Sequence, residues 1–143
     1  DNPSLTIRKP DRPVSPLKEQ PWRIILTHDA SSIPADSICL TDEFRDRTLV
    51  VENVFSYLEL LKKLYNDKKI GTILLEAGGC LVREFLKAGL VDEWVGFYAP
   101  IIIGGGADGV APGPFLEHEA HLEQPVVNIF GDDVCIRGDI CDR

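Results

Sequence analysis

The chain has 143 residues, of which 44% are hydrophobic and 27% charged, and its formal net charge is −8. This length predicts one domain, and the apolar fraction is sufficient for one core. An acidic chain has no general positive field that would attract nucleic acid or an anionic membrane, so we expect neither as a partner. The apolar runs are far shorter than the roughly 18 residues of a membrane span, and we expect a soluble, cytoplasmic protein.

The first half of the chain predicts strands and one helix. Prolines and charged residues between residues 9 and 21 indicate a surface loop. Short β-branched and aliphatic runs predict strands at residues 22–27, 37–40, 48–51 and 72–75. Residues 55–65 place apolar side chains at helical spacing, which predicts a helix. A strand, a helix and a further strand in this order are typical of a parallel βαβ unit.

The second half predicts a helix, a long strand and a hairpin. Residues 80–88 have one apolar helical face, and Gly89 follows where a helix commonly ends in glycine. Residues 94–103 are apolar on both faces, as expected of a central strand, and residues 126–130 and 134–140 predict a terminal hairpin around residues 131–133. We therefore predict an α/β fold with a mixed, mostly parallel central sheet flanked by helices. The outer edge of the hairpin would be unpaired, which favours a homodimer or a larger assembly.

The most informative motif is a glycine pair between a predicted strand and a predicted helix. Gly78 and Gly79 follow the run at residues 72–75 and precede the helix at residues 80–88. A helix N-terminus exposes unpaired N–H groups and the positive end of the helix dipole, and glycine lets a phosphate approach the backbone closely. The motif therefore predicts a phosphate site. A tight strand-to-helix turn without a ligand is the alternative.

Three ordered segments carry a resemblance to a known family. Residues 1–8 read DNPSLTIR, residues 23–34 read RIILTHDASSIP, and residues 74–107 read LLEAGGCLVREFLKAGLVDEWVGFYAPIIIGGGA. In order and spacing they resemble the C-terminal reductase domain of bifunctional riboflavin biosynthesis deaminase/reductases, and the resemblance extends through GDDVCIRG at residues 131–138. It implies a dihydrofolate-reductase-like fold and NADPH-dependent reduction of 5-amino-6-(5-phosphoribosylamino)uracil to its ribitylamino product. The family domain normally begins with about fifty further residues, so we expect residues 1–143 to be a reductase domain that is incomplete at its N-terminal side.

The resemblance also implies which residues bind ligands. Substrate contacts are implied at Leu5, Arg8 and Glu76. Cofactor contacts with NADPH are implied at Asp1, Thr27, His28, Gly78, Gly79, Cys80, Leu81, Val82, Arg83 and Glu84. In the family a small hydroxyl residue often occupies the position of His28, and the neighbouring Thr27 can supply that hydroxyl here. No protein nucleophile is required, because a hydride donor brings its own chemistry.

The roles predicted for Arg8 and Glu76, and the predicted function, each have an alternative. Arg8 can grip a substrate phosphate with its guanidinium fork, or it can be a solvated loop residue. Glu76 can accept hydrogen bonds from ribose hydroxyls, or it can pair with the N-terminus of its own helix. At the level of function, the alternatives are a reductase of another substrate with the same fold and a non-catalytic scaffold or dimerisation module.

The cysteines and histidines do not indicate a metal site. The four cysteines lack the C-x-x-C spacing, so we expect free thiols, with a disulfide between Cys135 and Cys141 left open. His118 and His121 lie among glutamates, but a polar surface segment is the simpler interpretation.

Overall fold

A computed structural model describes residues 2–7, 20–102, 111, 116 and 119–142. The chain divides into two compact units, residues 1–71 and residues 72–143. Within the described ranges, no helix is both long and apolar enough to cross a membrane. The cysteines are free, and Cys39 and Cys135 are buried.

The first unit contains a pair of parallel strands. Strand β1 spans Arg23–Thr27 and strand β2 spans Thr48–Glu52, and they pair in register from Arg23 opposite Thr48 to Thr27 opposite Glu52. Parallel strands need a crossover, and here it contains the short helix α1, Ile38–Thr41, between two 3-10 turns. Phe44 and Leu64 are buried in this unit with Cys39.

Helix α2, Tyr57–Lys68, confirms the helix predicted at residues 55–65 but begins and ends later. Its start is displaced because the Ser56 hydroxyl accepts a hydrogen bond from the N–H of Glu59 at 3.3 Å, which is the first half of a capping box. Phe55 lies outside the helix and is fully exposed. The helix ends at Lys68, and the C-cap residue Lys69 donates its N–H to the Tyr65 carbonyl at 2.9 Å and has a left-handed φ of 58°, which directs the chain out of the helix.

The second unit contains helix α3 and an antiparallel sheet. Helix α3 spans Gly79–Lys87 and ends before Gly89, which has a φ of 61° and confirms the predicted glycine stop. The strands are β3, Glu93–Tyr98, β4, Ala120–Phe130, and β5, Asp133–Asp142, in the order β3-β5-β4. The predicted hairpin is therefore confirmed, and β4 extends further towards the N-terminus than residues 126–130.

Two of the predicted strands are absent from the structure. Residues 37–40 were expected to be extended, but Ile38–Thr41 form helix α1, with hydrogen bonds from the Thr41 and Asp42 N–H groups closing its turn. A run of four apolar residues is too short to show a helical or strand periodicity of hydrophobicity. Its conformation therefore depends on the backbone hydrogen bonds that it forms. Residues 72–75 form no strand, and Leu74 is 79% exposed. An apolar run becomes a strand only when a neighbouring strand pairs with it.

The sheet arrangement also differs from the prediction. A mostly parallel central sheet is not found in the described residues, because the three-stranded sheet is antiparallel throughout. Residues 94–103 were expected to form a central strand, but β3 lies at the edge of its sheet and ends at Tyr98. Pro100 follows two residues later and has no N–H with which to continue a ladder. The central strand is β5.

Candidate functional site

The glycine pair begins helix α3 as predicted. Gly78 is the N-cap residue and Gly79 is the first helical residue, and no side chain caps this end. The first bonded N–H groups are those of Leu81 and Val82, which donate to the Gly78 carbonyl at 3.0 and 3.3 Å. The N–H groups of Gly79 and Cys80 precede them and have no partner within the helix. The turn therefore presents backbone donors at the positive end of the helix dipole.

The backbone of Gly78 does not itself require glycine. Its φ of −64° and ψ of 154° are accessible to any residue. Apart from its chain neighbours, no described residue lies within 4 Å of the position that a Cβ would take on Gly78. A serine or aspartate at this position would cap the helix better than glycine does. No described residue therefore fills the space in front of Gly78, which fits the approach of a phosphate to the backbone.

Five further predicted cofactor residues, Cys80, Leu81, Val82, Arg83 and Glu84, lie in the first two turns of α3. Cys80 is exposed, whereas Leu81 and Val82 are half-buried. The Arg83 side chain is only 12% exposed and its Nη1 lies 3.3 Å from Oε1 of Glu84. Glu84 also pairs with Lys87 at 3.3 Å. These five residues therefore lie together on one short helix, and the two charged ones, Arg83 and Glu84, form ion pairs.

Glu76, a predicted substrate residue, lies just before the glycine turn. It is exposed and belongs to no helix or strand. Glu76 lies in the segment that leads into α3, and its carboxylate is accessible to a ligand.

Thr27 and His28 lie at the carboxyl ends of the parallel strands. Thr27 ends β1, and its carbonyl accepts a hydrogen bond from the N–H of Asn53, which follows β2. The Thr27 hydroxyl donates to the Asp29 carbonyl at 3.0 Å and accepts from the Asp29 N–H at 3.1 Å. His28 is exposed. This edge is where open α/β sheets bind ligands, although the Thr27 hydroxyl is already used in a turn.

The first of the three family segments, residues 1–8, which we call the first motif, is only partly described. Asp1 and Arg8 lie outside the described residues. Leu5 is 38% exposed and has a φ of 48°, a left-handed conformation that is a strong outlier for a bulky side chain. Leu5 and its neighbours belong to the first unit, whereas Glu76 and residues 78–84 belong to the second.

A buried ionic cluster beside this motif was missed by the sequence analysis. Arg23 is 3% exposed, and its guanidinium forms a fork with Asp42 through bonds of 2.6 and 2.8 Å. It also donates to the carbonyls of Ser4 and Cys39, each at 2.9 Å, and to the Thr48 hydroxyl at 3.0 Å. We call Arg23, Cys39, Asp42 and Thr48 the Arg23 cluster. The available signal was an arginine that opens an apolar strand, since a charge there must be paired when buried.

The cluster predicts a pH dependence of stability. The hydrogen bonds from Arg23 are the main reason that the pKa of Asp42 lies below its usual value, and burial opposes them. A carboxyl with a lowered pKa in the folded state stabilises the fold above its unfolded pKa of about 3.9, and this contribution is lost as the pH falls below that value.

We therefore expect the free energy of unfolding to decrease more between pH 5 and pH 3 in the wild type than in Asp42→Asn. At pH 7 the variant should be less stable by about 1.5–3 kcal/mol, the usual contribution of a hydrogen bond to a charged group. Urea titrations at each pH measure both effects. Parallel pH profiles for the two proteins would contradict the prediction.

Comparison with solved structures defines the class of fold. The structure of Acinetobacter baumannii RibD matches with a TM-score of 0.79 and 23% identity, over 99% of this chain and 44% of that one. A pyrimidine reductase-like protein from Corynebacterium diphtheriae matches with a TM-score of 0.53 and 15% identity, over 82% of this chain and 50% of that one. The chain therefore has the α/β fold of the matching parts of these two proteins.

Sequence comparison identifies the family. The model of the RibD C-terminal domain matches residues 1–136. The riboflavin biosynthesis protein RibD of Mycobacterium tuberculosis H37Rv is 33% identical over 105 residues, which are 73% of this chain and 28% of that protein. Its Escherichia coli K12 counterpart is 35% identical over 95 residues, covering 63% of this chain and 26% of that protein. The chain belongs to the RibD C-terminal domain family, as the resemblance predicted, and it spans only about a quarter of these relatives.

Proposed function

We propose that this chain takes part in riboflavin biosynthesis as an NADPH-dependent oxidoreductase that reduces 5-amino-6-(5-phosphoribosylamino)uracil to its ribitylamino product. The observation that carries the proposal is the family match over residues 1–136, which includes both the first motif and the glycine turn. Since the match covers most of both compact units, we treat residues 1–143 as parts of one reductase domain.

The chain's role towards the cofactor is to bind and orient it. NADPH, when bound, supplies the hydride. The uncapped N–H groups at the start of α3 are suited to its phosphates, and the open space at Gly78 allows a close approach. The other residues proposed for this site are Asp1, Thr27, His28, Gly79, Cys80, Leu81, Val82, Arg83 and Glu84. Holding the reacting carbons together and excluding water is the protein's main contribution to such a reaction.

The substrate carries a phosphate and ribose hydroxyls, and the chain offers groups that match both. Arg8 can bind the phosphate with two parallel hydrogen bonds. Glu76, which is exposed beside the glycine turn, can accept hydrogen bonds from hydroxyls. Leu5 provides an apolar contact for the remainder of the ligand.

We also propose that the protein acts in the cytoplasm as a homodimer or larger assembly. Support comes from the antiparallel sheet, whose edge strand β4 exposes apolar side chains, including Val127 at 60% and Ile129 at 76%. Edge strands and exposed apolar faces of this kind favour association with a second copy.

An assay of the full-length protein tests the proposed function. We expect NADPH to be oxidised only when the phosphorylated aminouracil is present, and the loss of its near-ultraviolet absorbance measures the rate. Oxidation of NADH should be slower. Trp22 and Trp94 allow cofactor binding to be followed separately by fluorescence. Binding of NADPH without turnover of this substrate would indicate a reductase of another compound. The absence of any NADPH binding would favour a scaffold.

A further inference from the structure

The first motif is held in place by side chains from other segments rather than by a strand ladder. Residues 2–7 belong to no helix or strand. Gln20, only 2% exposed, accepts a hydrogen bond from the Ile7 N–H at 2.8 Å and donates to the Ile7 carbonyl at 3.4 Å. The buried amide therefore pairs with Ile7 as a neighbouring strand would.

The Arg23 cluster holds the other end of the same segment. Arg23 donates to the Ser4 carbonyl while its remaining donors are occupied by the cluster. The Cys39 thiol donates to the Pro3 carbonyl at 3.1 Å, and the Asn2 side chain accepts from the Ile38 N–H at 2.8 Å. A guanidinium with its fork filled by a carboxylate has little freedom, so the Ser4 carbonyl is fixed relative to β1 and β2.

The residue between these two anchors is strained. Leu5 adopts a φ of 48°, which costs free energy for a branched side chain and persists only when the surrounding structure enforces it. Its side chain is nevertheless partly exposed rather than packed into the core. Strain that orients an accessible side chain is characteristic of ligand-binding positions.

We propose that Arg23 and Gln20 are positioning residues for substrate binding: they hold the main chain of residues 4–7 so that Leu5 meets the phosphorylated pyrimidine. The inference rests on the proposed function, since that function makes this segment the substrate side of the site. Neither residue contacts the substrate. Each acts through the backbone of the segment that does.

The test compares Arg23→Lys and Gln20→Met in the full-length protein. Lysine keeps a positive charge beside Asp42 but cannot satisfy four separate acceptors, and methionine keeps the volume of Gln20 without its amide. We expect each variant to raise the KM for the phosphorylated aminouracil at least about fivefold, which corresponds to roughly 1 kcal/mol of binding. The Kd for NADPH should change less than twofold. Binding of ribose 5-phosphate, measured by calorimetry, should weaken in parallel with the KM.

Leu64→Ala is the control for lost core packing, because Leu64 is buried in helix α2 of the same unit and is not one of the side chains that hold residues 2–7 by the hydrogen bonds given above. It should lower the Tm and leave the KM within twofold of the wild type. Should Arg23→Lys lack a cooperative thermal transition, Gln20→Met carries the test, since it leaves the ion pair intact. Unchanged KM values in the folded variants, an equal rise in Leu64→Ala, or an equal loss of both ligands would overturn the inference. A wild type without substrate-dependent NADPH oxidation would instead overturn the proposed function itself.

Discussion

Gly79→Asp is expected to abolish NADPH binding at micromolar protein concentration. The substitution places a carboxylate at the first residue of α3, beside the uncapped N–H groups that we propose as the phosphate site. The new group repels the phosphate, competes for its donors and fills part of the space. Loss of a single charge-assisted contact costs about 1.5–3 kcal/mol, or roughly 10–150-fold in affinity, and repulsion adds to this loss. Fluorescence titration with NADPH measures the effect.

This prediction separates binding from folding. An acidic residue in the first turn interacts favourably with the helix dipole, so Gly79→Asp should leave the Tm unchanged or slightly higher. Gly79→Asn is the control for size without charge, and it should weaken binding less. If the aspartate variant binds NADPH within a factor of two of the wild type, the glycine turn is not the cofactor site.

Arg8→Ala is expected to raise the KM for the phosphorylated aminouracil about 10–150-fold, since a charge-assisted phosphate contact contributes about 1.5–3 kcal/mol. The affinity for NADPH should be unchanged. Arg8→Lys should show an intermediate KM, because it retains the charge and loses the fork. Steady-state kinetics and cofactor titration of the same preparations provide both values.

Lys9→Ala is the matched control for Arg8→Ala, because it removes the same charge one residue later in the sequence. Its KM should remain close to that of the wild type. An equal loss of substrate and cofactor affinity in Arg8→Ala would place the arginine in the cofactor site or in the fold, and a wild-type KM would make it a solvated loop residue.

The elements that could be predicted from the sequence are those with a clear period or a clear stop signal. Helix α2 shows its helical spacing, α3 ends at its glycine, and the terminal hairpin has a turn at Gly131, whose φ is 63°. Two of the failures were short apolar runs. Residues 37–40 and 72–75 look alike by composition, yet the first forms helix α1 and the second forms no regular element, because conformation there depends on partners remote in sequence.

The candidate site divides in a similar way. The glycine turn was visible because its chemistry is local: a strand-like run, two glycines and an amphipathic helix follow one another directly. The pairing of Arg23 with Asp42, and of Gln20 with Ile7, is a property of the tertiary structure. No spacing rule connects these residues, and only the burial of the polar Gln20 and the charged Arg23 reveals their partners.

The anchors of the first motif have a consequence for how specificity can evolve in this family. Arg23 and Gln20 bind the carbonyl of residue 4 and the N–H and carbonyl of residue 7, which every amino acid except proline carries. These hydrogen bonds therefore do not depend on the side chains at residues 4 and 7. If the side chains of this segment face the ligand as we propose, a replacement there would leave these main-chain contacts in place, much as an antibody framework tolerates variable loops. We therefore expect such replacements to change substrate preference without a compensating change in the scaffold.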